Sequence, residues 1–418
     1  MFSKLIIYLS VNKKICTLLC NKQIFIKFIG LFYRKYTTFN METISDPYQR
    51  HLLNDDSIFN VYNEESTNLT VGVPGPDLLQ NCLEIGKNLI HYEEEKKEGK
   101  YYLFQYGITA AAVKHRCCKT GKFNFNMWKE VTYMTALDAF RQFPLMKIVA
   151  DEFEKMIVEE KRNGNFLTNE QKIFWAMFYT IPTFHYPTGS TLPPDKLQLI
   201  PRKSSILIAC DDIYNLLYYG DGLPPHRLFC YDKQTDPEYK AGNIVSNGSF
   251  SKIFSPAFRF GWIECSPRIT KIFRLSRILC NGGAVNHYVS GVVTSLLQLN
   301  LQSNYLDKLT QIYKEQLSIL CNVLDYYLPR CCSYKKPEGG YFVWIHLPLE
   351  INAADFIQWC QKKYKVSAIP GILFSYSGKS HNYLRLSISF HRKEVLKTAT
   401  KSLCEALLNY VRKNIDYK

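Results

Sequence analysis

From about residue 60, short apolar runs bounded by Gly, Pro or Asp alternate with stretches of helical pattern, and this alternation constrains the fold more than any other feature. Residues 173–181 (IFWAMFYTI), 205–210 (SILIAC), 243–247 (NIVSN) and 260–265 (FGWIEC) read as buried strands. The first pair is separated by a turn, PTFHYPTGSTLPP, and a short helical stretch near residues 195–200. Strands joined by crossovers predict a mostly parallel sheet with helices on both faces, an α/β architecture. In such sheets ligands bind beyond the carboxyl ends of the strands. Residues 287 to about 328 keep a continuous helical pattern, long enough to leave the sheet and enter a second domain. There, residues 340–347, 366–369 and 383–389 read as strands, flanked by helices over 353–363 and 393–411. A length of 418 residues fits a large core and a smaller one packed together.

The formal charge of +15 raises the question of nucleic acid, but its distribution argues against it. Residues 1–40 hold Lys4, Lys13, Lys14, Lys22, Lys27, Arg34 and Lys35 and no acid, about half of the excess. Elsewhere the basic residues are scattered among Asp and Glu, with no nucleic-acid motif. Residues 1–40 read as a mitochondrial presequence or as an upstream extension before a start at Met41, so the expected compartment is cytoplasmic or mitochondrial. No apolar run reaches membrane-spanning length without a charge. The 14 cysteines are dispersed, and the adjacent pairs Cys117/Cys118 and Cys331/Cys332 lack the two-residue gap of zinc sites. They read as reduced thiols, and no metal is expected.

Chemistry concentrates in a few segments. NGSFSKIFSPAFRFGW (residues 247–262) places Lys252 in a Ser/Gly-rich turn after a strand, with Arg259 seven residues on. ACDDIYNLLYY puts Asp211 and Tyr214 three apart just after another strand. HYPTG spans 185–189, and the chain closes with PEGGYFVWIHLP (337–348), PGILFS (370–375) and NYLRLSISF (382–390). Together, over roughly residues 60–415, these segments resemble the class I/II, fold-type-I pyridoxal-phosphate-dependent aminotransferases. Within that family the likeness is greatest to the aminoadipate and broad-specificity branch. The resemblance implies a mostly parallel large domain over 101–300, a smaller α+β domain over 301–418, and residues 41–100 as an N-terminal segment of the smaller domain.

It also implies roles. Lys252 would hold the cofactor covalently and then act as the proton-transfer base, a task that suits an amine whose basicity burial can lower. Ser249 and Arg259 would bind the cofactor phosphate, Arg259 as a permanently charged fork. Asp211 would keep the pyridine nitrogen protonated, and Tyr214 would bond the ring's phenolic oxygen. Tyr186 stands where the family has an asparagine that bonds that same oxygen, so one hydroxyl replaces an amide with two N–H donors. Tyr133, in EVTYMTALDAFRQFPL (130–145), matches a ring-stacking position, and Tyr106, in FQYGITAAAVKHR (104–116), a tyrosine lent to the neighbouring subunit's phosphate site. Arg385 matches the clamp on the substrate α-carboxylate, and Gly72, in GVPGP (72–76), lies in a segment that passes near the substrate. A homodimer acting on amino acids and 2-oxo acids is implied.

Between Arg116 and Tyr133 the family carries a strand, a Gly/Ser-rich turn and a helix whose N-terminus cradles the phosphate. Here only CCKTGKFNFNMWK (117–129) precedes the Tyr133 segment. The expectation is an internal truncation that removes strand, turn and helix, and weak cofactor binding. A lyase or decarboxylase on the same cofactor, and a non-catalytic or mis-spliced protein that keeps the fold, are the alternatives to a transaminase.

Overall fold

The computed structural model describes residues 66–95, 125–129, 131–141, 146–149, 173–192, 206–231, 242–273 and 287–414. The basic segment 1–40, Tyr106 and the helical stretch expected near 195–200 lie outside these residues.

The chain enters through a short strand, β1 (Thr67–Asn68), and helix α1 (Pro76–Glu95). Proline at the first helical position costs no hydrogen bond, and Asp77 in the first turn complements the helix dipole. Strands β2 (Phe125–Lys129), β3 (Met146–Val149), β4 (Ala176–Thr180), β5 (Ile206–Asp211), β6 (Ile244–Ser249) and β7 (Gly261–Cys265) form one six-stranded sheet in the order β3-β2-β4-β5-β6-β7. All neighbours are parallel except β6 and β7. A helix, α2 (Met134–Arg141), follows β2. Strands β4, β5 and β6 are buried almost throughout, which is why their sequences are continuous apolar runs rather than alternating ones.

Three readings of the sequence change in the structure. The stretch 117–129, expected to hold no strand, supplies β2, seated between β3 and β4. The segment 287–328 is two helices, α4 (His287–Gln298) and α5 (Leu301–Tyr327), after the short α3 (Pro267–Phe273). The break falls at Asn300, which adopts a left-handed φ of 55°. Asparagine tolerates that conformation better than other non-glycine residues, so the apolar pattern runs on while the axis turns.

Helix α5 buries Tyr305, Leu309, Tyr313, Leu317, Leu320 and Leu324, a stripe at three- and four-residue spacing. That stripe packs on α7 (Lys393–Asn414) and on a four-stranded sheet. The strands are β8 (Ser333–Tyr334), β9 (Phe342–His346), β11 (Ile369–Pro370) and β12 (Tyr383–Ser387), in the order β11-β12-β9-β8. Helix α6 (Ala353–Tyr364) begins where the Asn352 side chain accepts a hydrogen bond from the Ala354 N–H at 2.9 Å. The segment 366–369 is likewise not one strand. Its first residues, β10 (Val366–Ser367), pair in parallel with β1, and its last join β12. The β1–β10 pairing fastens the start of the described chain to the carboxyl-terminal part.

Candidate functional site

Beyond the carboxyl ends of β4 and β5, a cavity of about 190 Å³ opens between the large sheet and β12. Gly72, Tyr133, Tyr186, Asp211, Tyr214, Lys252 and Arg385 all line it. These residues come from six separate stretches of sequence, and the fold brings them together. Thr70, Val71, Val73, Met134, Ile181 and Ile213 complete the wall.

Strand pleating separates the two consecutive aspartates, because neighbouring side chains point to opposite faces. Asp211, at the end of β5, faces the cavity. The Tyr179 hydroxyl donates to its Oδ2 at 2.9 Å and the Asn247 amide to its Oδ1 at 3.1 Å. Asp212 faces away and is 1% exposed. Ser246 donates to its Oδ2 at 2.5 Å, and Arg227 Nε lies 3.8 Å from the same oxygen. Burial raises the Asp212 carboxyl from 3.8 to about 6, against the lowering pull of Ser246 and Arg227.

Arg385 is a central residue of β12 and is 1% exposed. Its guanidinium carbon lies 4.4 Å from the ring centre of Phe342, 5.0 Å from that of Tyr186 and 5.4 Å from that of Phe374. Its Nη1 donates to the Tyr186 hydroxyl, while its Nε is buried without a partner. Among the described residues no carboxylate pairs with it. Burial lowers its pKa. Aromatic faces offset part of the cost of this desolvated cation, but a buried guanidinium with an unsatisfied N–H is a receptor for an anion.

Tyr186 sits at a cis peptide before Pro187, in a turn closed by Gly189 N–H donating to His185 O at 2.7 Å. Burial pushes its phenol up to about 12, and that of Tyr214 well above its ordinary value, so both are neutral hydroxyls at physiological pH. Tyr133 meets Tyr186 edge to face, with ring centres 4.9 Å apart. The loop carrying Tyr133 is fixed by Thr132 N–H, which donates to Phe374 O at 3.1 Å.

Lys252 lies in the turn after β6. Its backbone carbonyl accepts from the Tyr341 hydroxyl at 2.7 Å, and its ammonium reaches across to Gly72 O at 2.5 Å. Glycine at 72 is required by close approach, since a Cβ there would stand 2.4 Å from Phe342 Cζ. Ser249 ends β6 and Arg259 follows the turn, and neither lines the cavity. Ser249 Oγ accepts from Ser251 N–H at 3.1 Å. Arg259, left-handed at φ 49° and exposed, donates to Pro256 O at 3.0 Å and lies 3.4 Å from Ser251 Oγ. The serine and the arginine expected to act together are therefore joined through Ser251. Tyr179 belongs to none of the segments that carry the resemblance, and Asn247 and Ser251, though inside the Lys252 segment, are assigned no role from the sequence.

No protein-family model matches the chain. It is 33% identical over 235 residues to an uncharacterised protein of Saccharomyces cerevisiae, covering 53% of this chain and 53% of that protein. It is 28% identical over 294 residues to aromatic-amino-acid aminotransferase 1 of Thermococcus litoralis, covering 68% of this chain and 66% of the relative. The chain thus spans about half the length of the first relative and about two thirds of the second. The fold resembles that of a multiple substrate aminotransferase from Thermococcus profundus, with a TM-score of 0.72, 20% identity, and coverage of 89% of this chain and 97% of that one. It also resembles the α-aminoadipate aminotransferase of Thermus thermophilus, solved with a phosphopyridoxyl-leucine adduct, with a TM-score of 0.67, 21% identity, and coverage of 88% and 96%.

Proposed function

We propose that this chain, which has the α/β fold of the fold-type-I pyridoxal-phosphate-dependent aminotransferases and is related to them in sequence, transfers an amino group between an amino acid and a 2-oxo acid. The observation that carries the reading is the convergence of Lys252, Asp211, Tyr214, Tyr186 and Arg385 on one cavity. The residues present suit pyridoxal phosphate. An amine, a buried carboxylate held by two donors, neutral phenols and a buried guanidinium with an open N–H supply a partner for each polar group of a ring and an α-carboxylate.

The cofactor, when bound, supplies an aldehyde for covalent capture and a ring that draws electrons from the substrate α-carbon. The chain's own residues do the rest. Lys252 would hold the cofactor and would take and return the α-proton. Asp211 would keep the ring nitrogen protonated. The hydroxyls of Tyr214 and Tyr186 would orient the ring's phenolic oxygen, and Tyr133 would cover the ring. Arg385 binds the α-carboxylate as a fork. Gly72 lets the backbone approach the substrate. Ser249 and Arg259 would bind the phosphate and Tyr106 that of a second copy, so a homodimer belongs to the proposal. The broad-specificity and aminoadipate enzymes among the structural neighbours support an aminoadipate-like or broad substrate range. Borohydride reduction of the protein with pyridoxal phosphate, followed by peptide mapping, tests the assignment. The label belongs on Lys252, and a label on another lysine or none contradicts it.

A further inference from the structure

We propose that Tyr179 and Asn247 are positioning residues for Asp211, fixing the plane of its carboxylate toward a cationic N–H of a ring bound in the cavity. The ligand class rests on the function proposed above; the positioning itself rests on the geometry of three adjacent strands.

Asp211 ends β5, and the two donors come from the strands on either side of it. Tyr179 on β4 donates to Oδ2 at 2.9 Å, and Asn247 on β6 donates to Oδ1 at 3.1 Å. Asn247 is the direct register partner of Asp211. One donor on each carboxylate oxygen, from opposite sides, sets the rotation of the group. Both donors are buried. An amide or hydroxyl placed there costs free energy unless it is bonded, so a Phe at 179 and an aliphatic residue at 247 would serve the packing better. Toward the aspartate both polar groups are bonded.

The neighbouring carboxylate shows the contrast. Asp212 takes its contacts from Ser246 and the Arg227 guanidinium, and Arg227 also pairs with Glu264. Both contacts fall on its Oδ2, and its Oδ1 is buried without a hydrogen bond. The donors that Asp211 takes from β4 and β6 are neutral, so they orient the anion without cancelling it. Two consecutive aspartates on opposite sides of one strand are thereby divided, one structural and one presented to a ligand.

The test uses Tyr179→Phe, Asn247→Leu and the double variant. In crystal structures of the cofactor-free proteins, the Asp211 carboxylate should rotate away from its parental orientation in the double variant. In titrations with pyridoxal phosphate, each single variant should bind about three- to tenfold more weakly, and the double variant on the order of tenfold to a hundredfold. The pH at which the visible absorbance band changes should move in each variant, a readout that loss of packing alone leaves in place. An unchanged carboxylate orientation in the double variant, or cofactor affinity and band midpoint equal to the parent's, overturns the proposal. If the double variant fails to fold, Tyr179→Phe decides it, because that change removes one oxygen and keeps the ring. A parent protein that shows no band would sink the cofactor reading alone, and the cofactor-free structures would still decide the role of the two donors.

Discussion

Replacing Arg385 by methionine separates a binding role from a structural one. The guanidinium is 1% exposed, is boxed by the rings of Phe342, Tyr186 and Phe374, and has a buried Nε without a partner. In the ligand-free protein that cation carries a desolvation penalty, and its stabilising contacts are the three ring faces and one hydrogen bond to Tyr186. Each face contributes about 0.5–2 kcal/mol and a single hydrogen bond about 1 kcal/mol, comparable to the several kcal/mol that burial of an ion costs. Methionine fills similar space and removes both sides of the balance. Urea unfolding of Arg385→Met should therefore show stability within about 2 kcal/mol of the parent, on either side of zero. Binding should behave differently. A forked contact with a carboxylate is worth about 1.5–3 kcal/mol, so the amino-acid half-reaction, followed by stopped-flow absorbance, should lose about ten- to a hundredfold in kcat/KM. Destabilisation beyond about 3 kcal/mol, the range for breaking a buried ionic network, would make Arg385 a structural residue and refute the reasoning. Full amino-acid turnover in the variant would refute it from the other side.

The buried Asp212 makes stability depend on pH in an uncommon direction. Its folded value of about 6 lies above its ordinary 3.8, so the native state holds an extra proton in that window, and stability falls as pH rises through it. The cost above pH 6 is about 3 kcal/mol, and Asp212→Asn should flatten the slope of thermal stability between about pH 4 and pH 6; an unchanged slope would point to another group. Gly72→Ala would drive a methyl to 2.4 Å from Phe342 Cζ and shift the carbonyl that accepts from Lys252. It should cost about 1–3 kcal/mol in denaturant unfolding and weaken substrate binding, and a variant of parental stability would mean that the segment yields freely.

The sequence made some parts of this architecture plain and hid others, for physical reasons. Strands β4, β5, β6 and β7 were legible because the first three are buried on both faces and read as apolar runs between turn residues. Strands β2 (FNMWK) and β3 (MKIV) were missed, being short and interrupted by polar residues. Asn300 breaks the long helical pattern without breaking its apolar spacing, so only its left-handed backbone reveals the corner. Lys252, Asp211 and Arg385 each sit in a local motif. Tyr179 does not, and the contact that Asn247 makes is not part of its motif, because both act through cross-strand register with a residue 32 and 36 positions away. An asparagine ending the apolar run IVSN was the one available signal. Conversely, Arg259 was legible by spacing, yet its exposed, left-handed placement beside Ser251 was not.

The most direct test of the account is a spectrophotometric titration of the purified chain with pyridoxal phosphate, run beside Lys252→Ala. Capture of the cofactor by the Lys252 amine predicts a saturable visible band in the parent that is absent from the variant, and that is displaced when an amino acid is added. A parent without a band, or a variant that keeps it, would contradict the assignment of this cavity as the site of the chemistry.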